Sequence, residues 1–196
     1  MSQVSIIEPT SFRAMPWRNG LGTTVELLKQ DLPNGDGFAW RLSMADVATS
    51  GEFSNFSGYD RTLLLLEGKG LSLDCDGASH RLEKPLQLAQ FSGDDQTFAT
   101  LHDGPVKDFN IMVQRQHCSA RVSSAIHPEE SVIMVDGEIL LVYAVDGELN
   151  LSGPEISIPS VQSGHLCVVQ DPANGSWRCH GASHIAVQIC HHSACA

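Results

Sequence analysis

Short apolar runs, broken by glycine, aspartate, asparagine and proline, recur along all 196 residues. Phe38, Trp40, Leu42 and Met44 alternate with Ala39, Arg41 and Ser43, the period-two pattern of a strand with one buried face. Arg61 to Leu66 is a dense apolar strand that ends at Glu67-Gly68-Lys69-Gly70, and Leu71-Ser72-Leu73 leaves that turn. Leu86 to Phe91, Phe109 to Val113, Val132 to Val135, Ile139 to Val145, Leu149 to Leu151, Ile156 to Ile158, Leu166 to Val169 and Ile185 to Ile189 continue the series. Sustained helical periodicity is absent. Thr23 to Gln30 is open to helix or strand, and its β-branched and leucine residues favour strand. The stretch after Pro128 is open to a helical turn. Many short strands with Gly, Asp, Asn and Pro turns predict an all-β barrel or sandwich.

The pattern repeats. From Leu63 to Asp95 run an apolar strand, a glycine turn, Leu71-Ser72-Leu73, a turn at Gly77, a short strand, Pro85, another strand and an acidic turn. From Leu140 to Pro172 the same features follow in the same order, through Asp146-Gly147, Leu149-Asn150-Leu151, Gly153, Ile156-Ser157-Ile158, Pro159, Leu166 to Val169 and Asp171. Each copy is followed by one more strand, Asp108 to Val113 and Ser183 to Ile189. Two similar units in one chain predict a duplicated barrel, residues 1–118 and 119–196, with the boundary near Cys118 to Pro128.

Charge narrows the function classes. Twelve Lys and Arg stand against 23 Asp and Glu, a net charge of -11. This balance argues against a nucleic-acid backbone, which needs a basic field, and against docking on anionic membranes. No apolar stretch approaches the roughly 20 residues of a membrane helix. Met1 to Pro9 has no basic segment followed by an apolar one, so a cytoplasmic location is expected. The six cysteines are then expected as thiols, and none forms a CxxC pair.

Polar residues on shared strand faces are the candidate chemistry. Asp108 and Asn110 share one face, opposite Phe109, Ile111 and Val113; Arg41 and Ser43 share another, opposite Trp40 and Leu42. Asp60 and Arg61 open a strand that is otherwise apolar. Arg, Asp and Asn inside an apolar barrel would form a small-molecule pocket, and the guanidinium fork suits a carboxylate. The same faces are equally compatible with solvent exposure. Met15-Pro-Trp-Arg-Asn-Gly-Leu-Gly-Thr-Thr24 joins a Pro-Trp pair to a glycine turn, without the spacing of a phosphate loop. His180, His184, His191 and His192 cluster in sequence with Cys179, Cys190 and Cys195, but no pair has the spacing of a recognised metal site. No GxSxG elbow or HExxH motif is present, so no catalytic residue is assigned.

Met15 to Thr24, Trp40-Arg-Leu-Ser43, Gly51-Glu-Phe-Ser-Asn-Phe-Ser-Gly-Tyr-Asp-Arg61, Leu66-Glu-Gly-Lys-Gly70 and Asp108-Phe-Asn-Ile-Met112 resemble, in order, the motifs of the HutD/Ves family. They span most of residues 15 to 115; the second half matches in layout only. The resemblance implies a bicupin: two tandem cupin-like jelly-roll barrels with little helix. It also implies an association with bacterial histidine utilisation, as a sensor of a pathway intermediate, or, for the Ves branch, with stress or cold response. Urocanate and formylglutamate are the candidate ligands. Carried onto this chain, the motifs place the ligand site around Trp17, Asn19, Gly20, Thr23, Trp40, Arg41, Asp60, Arg61, Asp108 and Asn110. Arg41 or Arg61 would hold the carboxylate, Asn19, Thr23 and Asn110 would supply neutral hydrogen bonds, and Trp17 or Trp40 an apolar wall. The family's usual glycine run is interrupted here by Leu21. The family lacks the metal histidines of other cupins, and neither repeat contains His-x-His.

The expected function is therefore metal-independent binding of a small carboxylate with a regulatory role, without a cofactor. The second barrel is expected to be structural, and paired sheet edges leave a homodimer open. The alternative is a cupin-type enzyme, an isomerase, hydrolase or metal-dependent oxygenase, acting on a small carboxylate.

Overall fold

A computed structural model describes residues 2–17 and 22–192 of the chain. Its strands, in order, are β1 (Gln3–Ile7), β2 (Arg13–Pro16), β3 (Gly22–Asp31), β4 (Phe38–Val47), β5 (Gly51–Glu52), β6 (Tyr59–Glu67), β7 (Leu71–Cys75), β8 (Ala78–Leu82), β9 (Leu88–Ser92) and β10 (Thr97–Leu101). There follow β11 (Val106–Gln114), β12 (Cys118–Ala125), β13 (Ser131–Val135), β14 (Ile139–Ala144), β15 (Leu149–Ser152), β16 (Ser157–Val161), β17 (Leu166–Gln170), β18 (Gly175–Gly181) and β19 (His184–His191). A single 3-10 turn, Pro9–Ser11, is the one helical element among the described residues. Among the described residues no helix is long and apolar enough to cross a membrane.

The unit Phe12–Cys118 consists of two antiparallel sheets. One has the order β2-β3-β4-β11-β6-β9 and the other β5-β10-β7-β8. Leu63 and Leu65 of β6, Ala89 and Phe91 of β9, Val47 of β4 and Val106 of β11 meet Leu71, Leu73, Cys75, Leu82 and Ala99 from the other sheet in one apolar cluster. β6 is apolar on both faces: Leu64 is as fully buried as Leu63 and Leu65. That accounts for the unbroken run of leucines, since a strand buried on both sides has no polar face to alternate with.

The second unit joins residues 2–11 to the chain after Cys118. Its sheets have the orders β1-β17-β14-β19-β12 and β13-β18-β15-β16. The duplication read from the sequence is visible in this topology. The order β13-β18-β15-β16 repeats β5-β10-β7-β8, and β17-β14-β19-β12 repeats β9-β6-β11-β4. The differences lie at the edges: β2 and β3 extend β4 in the first unit, whereas β1 pairs with β17 in the second. The interior of the second unit is filled by Trp177, fully buried among Leu140, Val142, Leu149, Leu151 and Val169. A side chain at Gly153 would stand 2.4 Å from the Trp177 ring, so the indole occupies space that any other residue there would contest.

Three expectations change. The first unit starts at Phe12 rather than residue 1, because Gln3–Ile7 pairs with Leu166–Gln170. The unit boundary does fall at Cys118/Ser119, within the segment expected to hold it; what changes is that Cys118 to Pro128 is largely the strand β12, absent from the strands expected, because its place at a sheet edge leaves it without an apolar signature. No helical turn follows Pro128; the chain runs into β13, the strand expected over Val132 to Val135. Thr23 to Gln30 lies in strand β3, in agreement with its β-branched content.

Candidate functional site

The registers of the six-stranded sheet stack three levels of side chains on its inner face. At one level Met15, Thr24, Ala45, Asp108 and Leu65 stand side by side on β2, β3, β4, β11 and β6. At the next, Ser43, Asn110 and Leu63 are neighbours, and at the third Arg41, Met112 and Arg61. Directly opposed residues of antiparallel strands share a face, so these levels project together. From these levels Met15, Thr24, Ala45, Asp108, Ser43, Asn110, Arg41 and Arg61 line a cavity of about 520 Å³, together with Trp17, Val47, Glu52, Phe53, Ser54 and Phe56. The cavity lies within the first unit.

The loop between β5 and β6 brings in the remaining wall. The Phe53 amide donates to the Thr97 carbonyl at 2.9 Å, and the Phe56 amide to that of Gly93 at 2.9 Å. Asp94 accepts from the Ser57 hydroxyl at 2.7 Å and the Gly58 amide at 2.8 Å. These bonds hold the Phe53 and Phe56 rings against the arginines. Opposite them Trp17 donates through its indole to Thr24 Oγ1 at 2.8 Å. A Cβ on Gly22 would meet the Trp17 ring at 2.8 Å and the Asp46 carbonyl at 2.5 Å, so this glycine gives the indole its seat.

The electrostatics are unusual. Arg61 is only 5% exposed. Its guanidinium lies 4.9 Å from the centre of the Phe91 ring, 5.4 Å from Phe53 and 5.5 Å from Phe56. Nη1 donates to the Ser54 carbonyl at 3.2 Å, while Nε has no partner. Arg41 stacks 5.0 Å from Phe38 and 5.4 Å from Phe56; Nη2 reaches Met112 Sδ at 3.3 Å, and its Nε is also without a partner. Neither guanidinium forms an ion pair with a described carboxylate. Burial lowers the pKa of both, that of Arg61 to about 10. Asp108 is 1% exposed and its Oδ1 has no partner. Burial raises its pKa to about 7, against the pull of Arg61. The Oδ1 of Asn110 is unpaired as well. Buried polar atoms almost always find partners, so four orphans on four lining residues mark a place prepared for a polar guest.

The structure brings together Trp17, Arg41, Arg61, Asp108 and Asn110. It separates three others. Trp40 points away from Arg41 into the opposite face, where its indole donates to Gln30 Oε1 at 2.9 Å. Asp60 projects away from Arg61 and pairs with Arg115 at 2.8 Å on the surface. Thr23 gives way to Thr24, because only alternate residues of β3 face inward. Asn19, Gly20 and Leu21 lie outside the described residues. Sequence reasoning missed Ser54, Phe53, Phe56, Glu52 and Thr24. All but Thr24 sit inside the Gly51–Arg61 motif, but aromatic residues in a loop carry no periodicity that would aim them.

A divalent metal does not suit this set. The cavity presents two guanidinium groups and no imidazole or thiolate, and a cation would be repelled where Arg41 and Arg61 converge. Elsewhere, no three His, Cys, Asp or Glu side chains converge as metal ligands among the described residues. Cys75, Cys167, Cys179 and Cys190 form no disulfide.

Comparison with known proteins agrees with this architecture. The HutD family model matches residues 9–187. An uncharacterised 21.2 kDa protein of the hutC 3′ region in Pseudomonas putida is 34% identical over 161 residues, 80% of this chain and 82% of that protein. Protein Ves of Escherichia fergusonii is 42% identical over 124 residues, 61% of this chain and 64% of its own. Among solved structures, a conserved protein of unknown function from Pseudomonas aeruginosa superposes with a TM-score of 0.87 at 30% identity, covering 97% of this chain and all of the other. HutD from Pseudomonas fluorescens does so with 0.85 at 28% identity and the same coverage. A cupin 2 barrel protein from Leptotrichia buccalis, 14% identical with a TM-score of 0.51 and covering 87% of this chain and 89% of its own, shares the fold. Both units are cupin-type barrels.

Proposed function

For a chain that belongs to the HutD family, we propose a receptor role: the first barrel binds a small carboxylate metabolite, without metal, and the bound state regulates histidine utilisation in the cytoplasm. The observation that carries this reading is the pair Arg41 and Arg61. Two guanidiniums converge on one cavity of an acidic protein, and neither has a carboxylate partner. Leaving charges buried and unpaired costs free energy that an anionic ligand would recover. The phenylalanine rings hold the forks in place and supply apolar surface for the body of the ligand. A family relative in the hutC 3′ region favours an intermediate of the histidine pathway, with urocanate and formylglutamate as the first candidates.

Thermal unfolding in the presence of each candidate tests this. Binding to the folded state raises its stability as ligand exceeds the dissociation constant. Urocanate or formylglutamate should raise Tm, and Arg61→Ala should abolish the rise. No rise with either at millimolar ligand overturns the histidine-pathway link.

Asp108 favours a second reading. A buried carboxyl with a pKa of about 7 beside bound substrate is suited to general acid–base chemistry. Turnover of a bound carboxylate, lost in Asp108→Asn, would replace the receptor by an enzyme.

A further inference from the structure

The two arginines account for one end of a ligand. They leave Asp108 unexplained. It stands four residues along β11 from Met112, so its level lies roughly 13 Å from the arginine level by strand rise. Long arginine side chains shorten the gap, yet Arg61 and Asp108 form no ion pair. The charged groups around Asp108 are Arg61 from β6, Arg41 and Asp46 from β4, and Glu52 from β5. β2, β3 and β11 contribute Met15, Thr24 and Asn110, none of which titrates. The Ala45 amide is the one backbone group that favours the ionised carboxylate, and Oδ1 is left with nothing.

We propose that Asp108 is the specificity-determining residue of this cavity: it accepts a hydrogen bond from an N–H of the ligand, so the preferred ligands pair a carboxylate at the arginines with a donor at the far end. The inference rests on the carboxylate reading given above. A buried acceptor built to receive a donor discriminates strongly against an analogue lacking it, because binding then strands the acceptor away from water. A plain carboxylate would also offset the favourable field that Arg61 gives Asp108, and would have to bring a proton with it. A donor-bearing carboxylate instead satisfies Oδ1 and stabilises the ionised form.

A matched pair of probes separates the possibilities: 3-(pyrrol-3-yl)propionate and 3-(furan-3-yl)propionate. They differ by a ring N–H against a ring oxygen, and neither ring titrates near neutrality. Titration calorimetry on the full chain should show the pyrrole acid binding at least about ten-fold tighter, a gap of about 1.4 kcal/mol. The preference should grow as pH rises through neutrality and Asp108 ionises, while furan binding weakens. Asp108→Asn, whose amide can turn its nitrogen to the furan oxygen, should erase both the preference and its pH dependence and keep affinity for the furan acid. Arg61→Ala should lose both probes. Equal affinity for the two probes in the wild type, or a preference that survives Asp108→Asn, overturns the role of Asp108 while the carboxylate reading stands. Binding of neither probe at millimolar concentration overturns both.

Discussion

Arg41 and Arg61 stand at one level of the sheet on either side of Met112, each paired with it across a neighbouring strand. Both face the cavity, and both stack on the ring of Phe56, at 5.4 and 5.5 Å. Two like charges two strands apart repel, and the Arg41 charge does lower the pKa of Arg61. The sheet holds them there through main-chain hydrogen bonds that neither charge can break, and the aromatic faces offset part of the lost hydration.

Replacing Arg61 by lysine keeps the charge and removes the planar fork. Bidentate recognition and stacking both depend on that fork. Arg61→Lys should weaken carboxylate binding by at least about ten-fold, worth 1.4 kcal/mol, with a far-UV circular dichroism spectrum like that of the parent. Titration calorimetry checks it.

Asp108 makes stability depend on pH in an unusual direction. Its folded pKa, about 7, lies above the 3.8 of an ordinary aspartate. Between those values the folded chain holds the proton more tightly than the unfolded one. Stability therefore falls as pH rises from about 4 to about 7 and is level above that. Asp108→Asn lacks this loss. Its Tm relative to the parent should climb over that window and then hold, by an amount worth up to about 4 kcal/mol. A difference that is flat with pH would show that Asp108 is ionised throughout.

Asp94 ties down the loop that carries Phe53 and Phe56. It accepts from Ser57, Gly58, Ser92 and Arg115, and these bonds hold its pKa below the usual carboxylate range. The tie is complete above that range and is lost as pH falls through the depressed value. Asp94→Ala should speed amide exchange at the Phe56 and Gly58 positions and weaken carboxylate binding, with a small change in Tm because the network is exposed. Hydrogen exchange with residue-level readout measures it.

Trp177 is the largest side chain in the apolar core of the second barrel. Its ring is fully buried and its indole donates to the Ala173 carbonyl at 2.9 Å. Trp177→Ala should destabilise the chain by about 3–5 kcal/mol, read from urea unfolding. Ligands that fill small apolar cavities should recover part of the loss.

Much of this protein is written in its alternation pattern. The strands with one apolar face, the repeat of turn and strand, and the grouping of Arg41 with Ser43 and of Asp108 with Asn110 all follow from local chemistry, because side chains two apart in a strand must share a face. Local chemistry does not say which face turns inward or which strands become neighbours. Trp40 and Arg41 differ by one position, and so do Thr23 and Thr24, and Asp60 and Arg61. In each pair only the second residue lines the cavity. That choice belongs to the long-range register of β3, β4, β11 and β6, set by how their apolar faces pack together. The same register places Arg41 and Arg61 about Met112, though they lie 20 residues apart along the chain. The edge strands β1 and β12 had to await the fold as well: half exposed, each gains its regularity from the neighbour it pairs with.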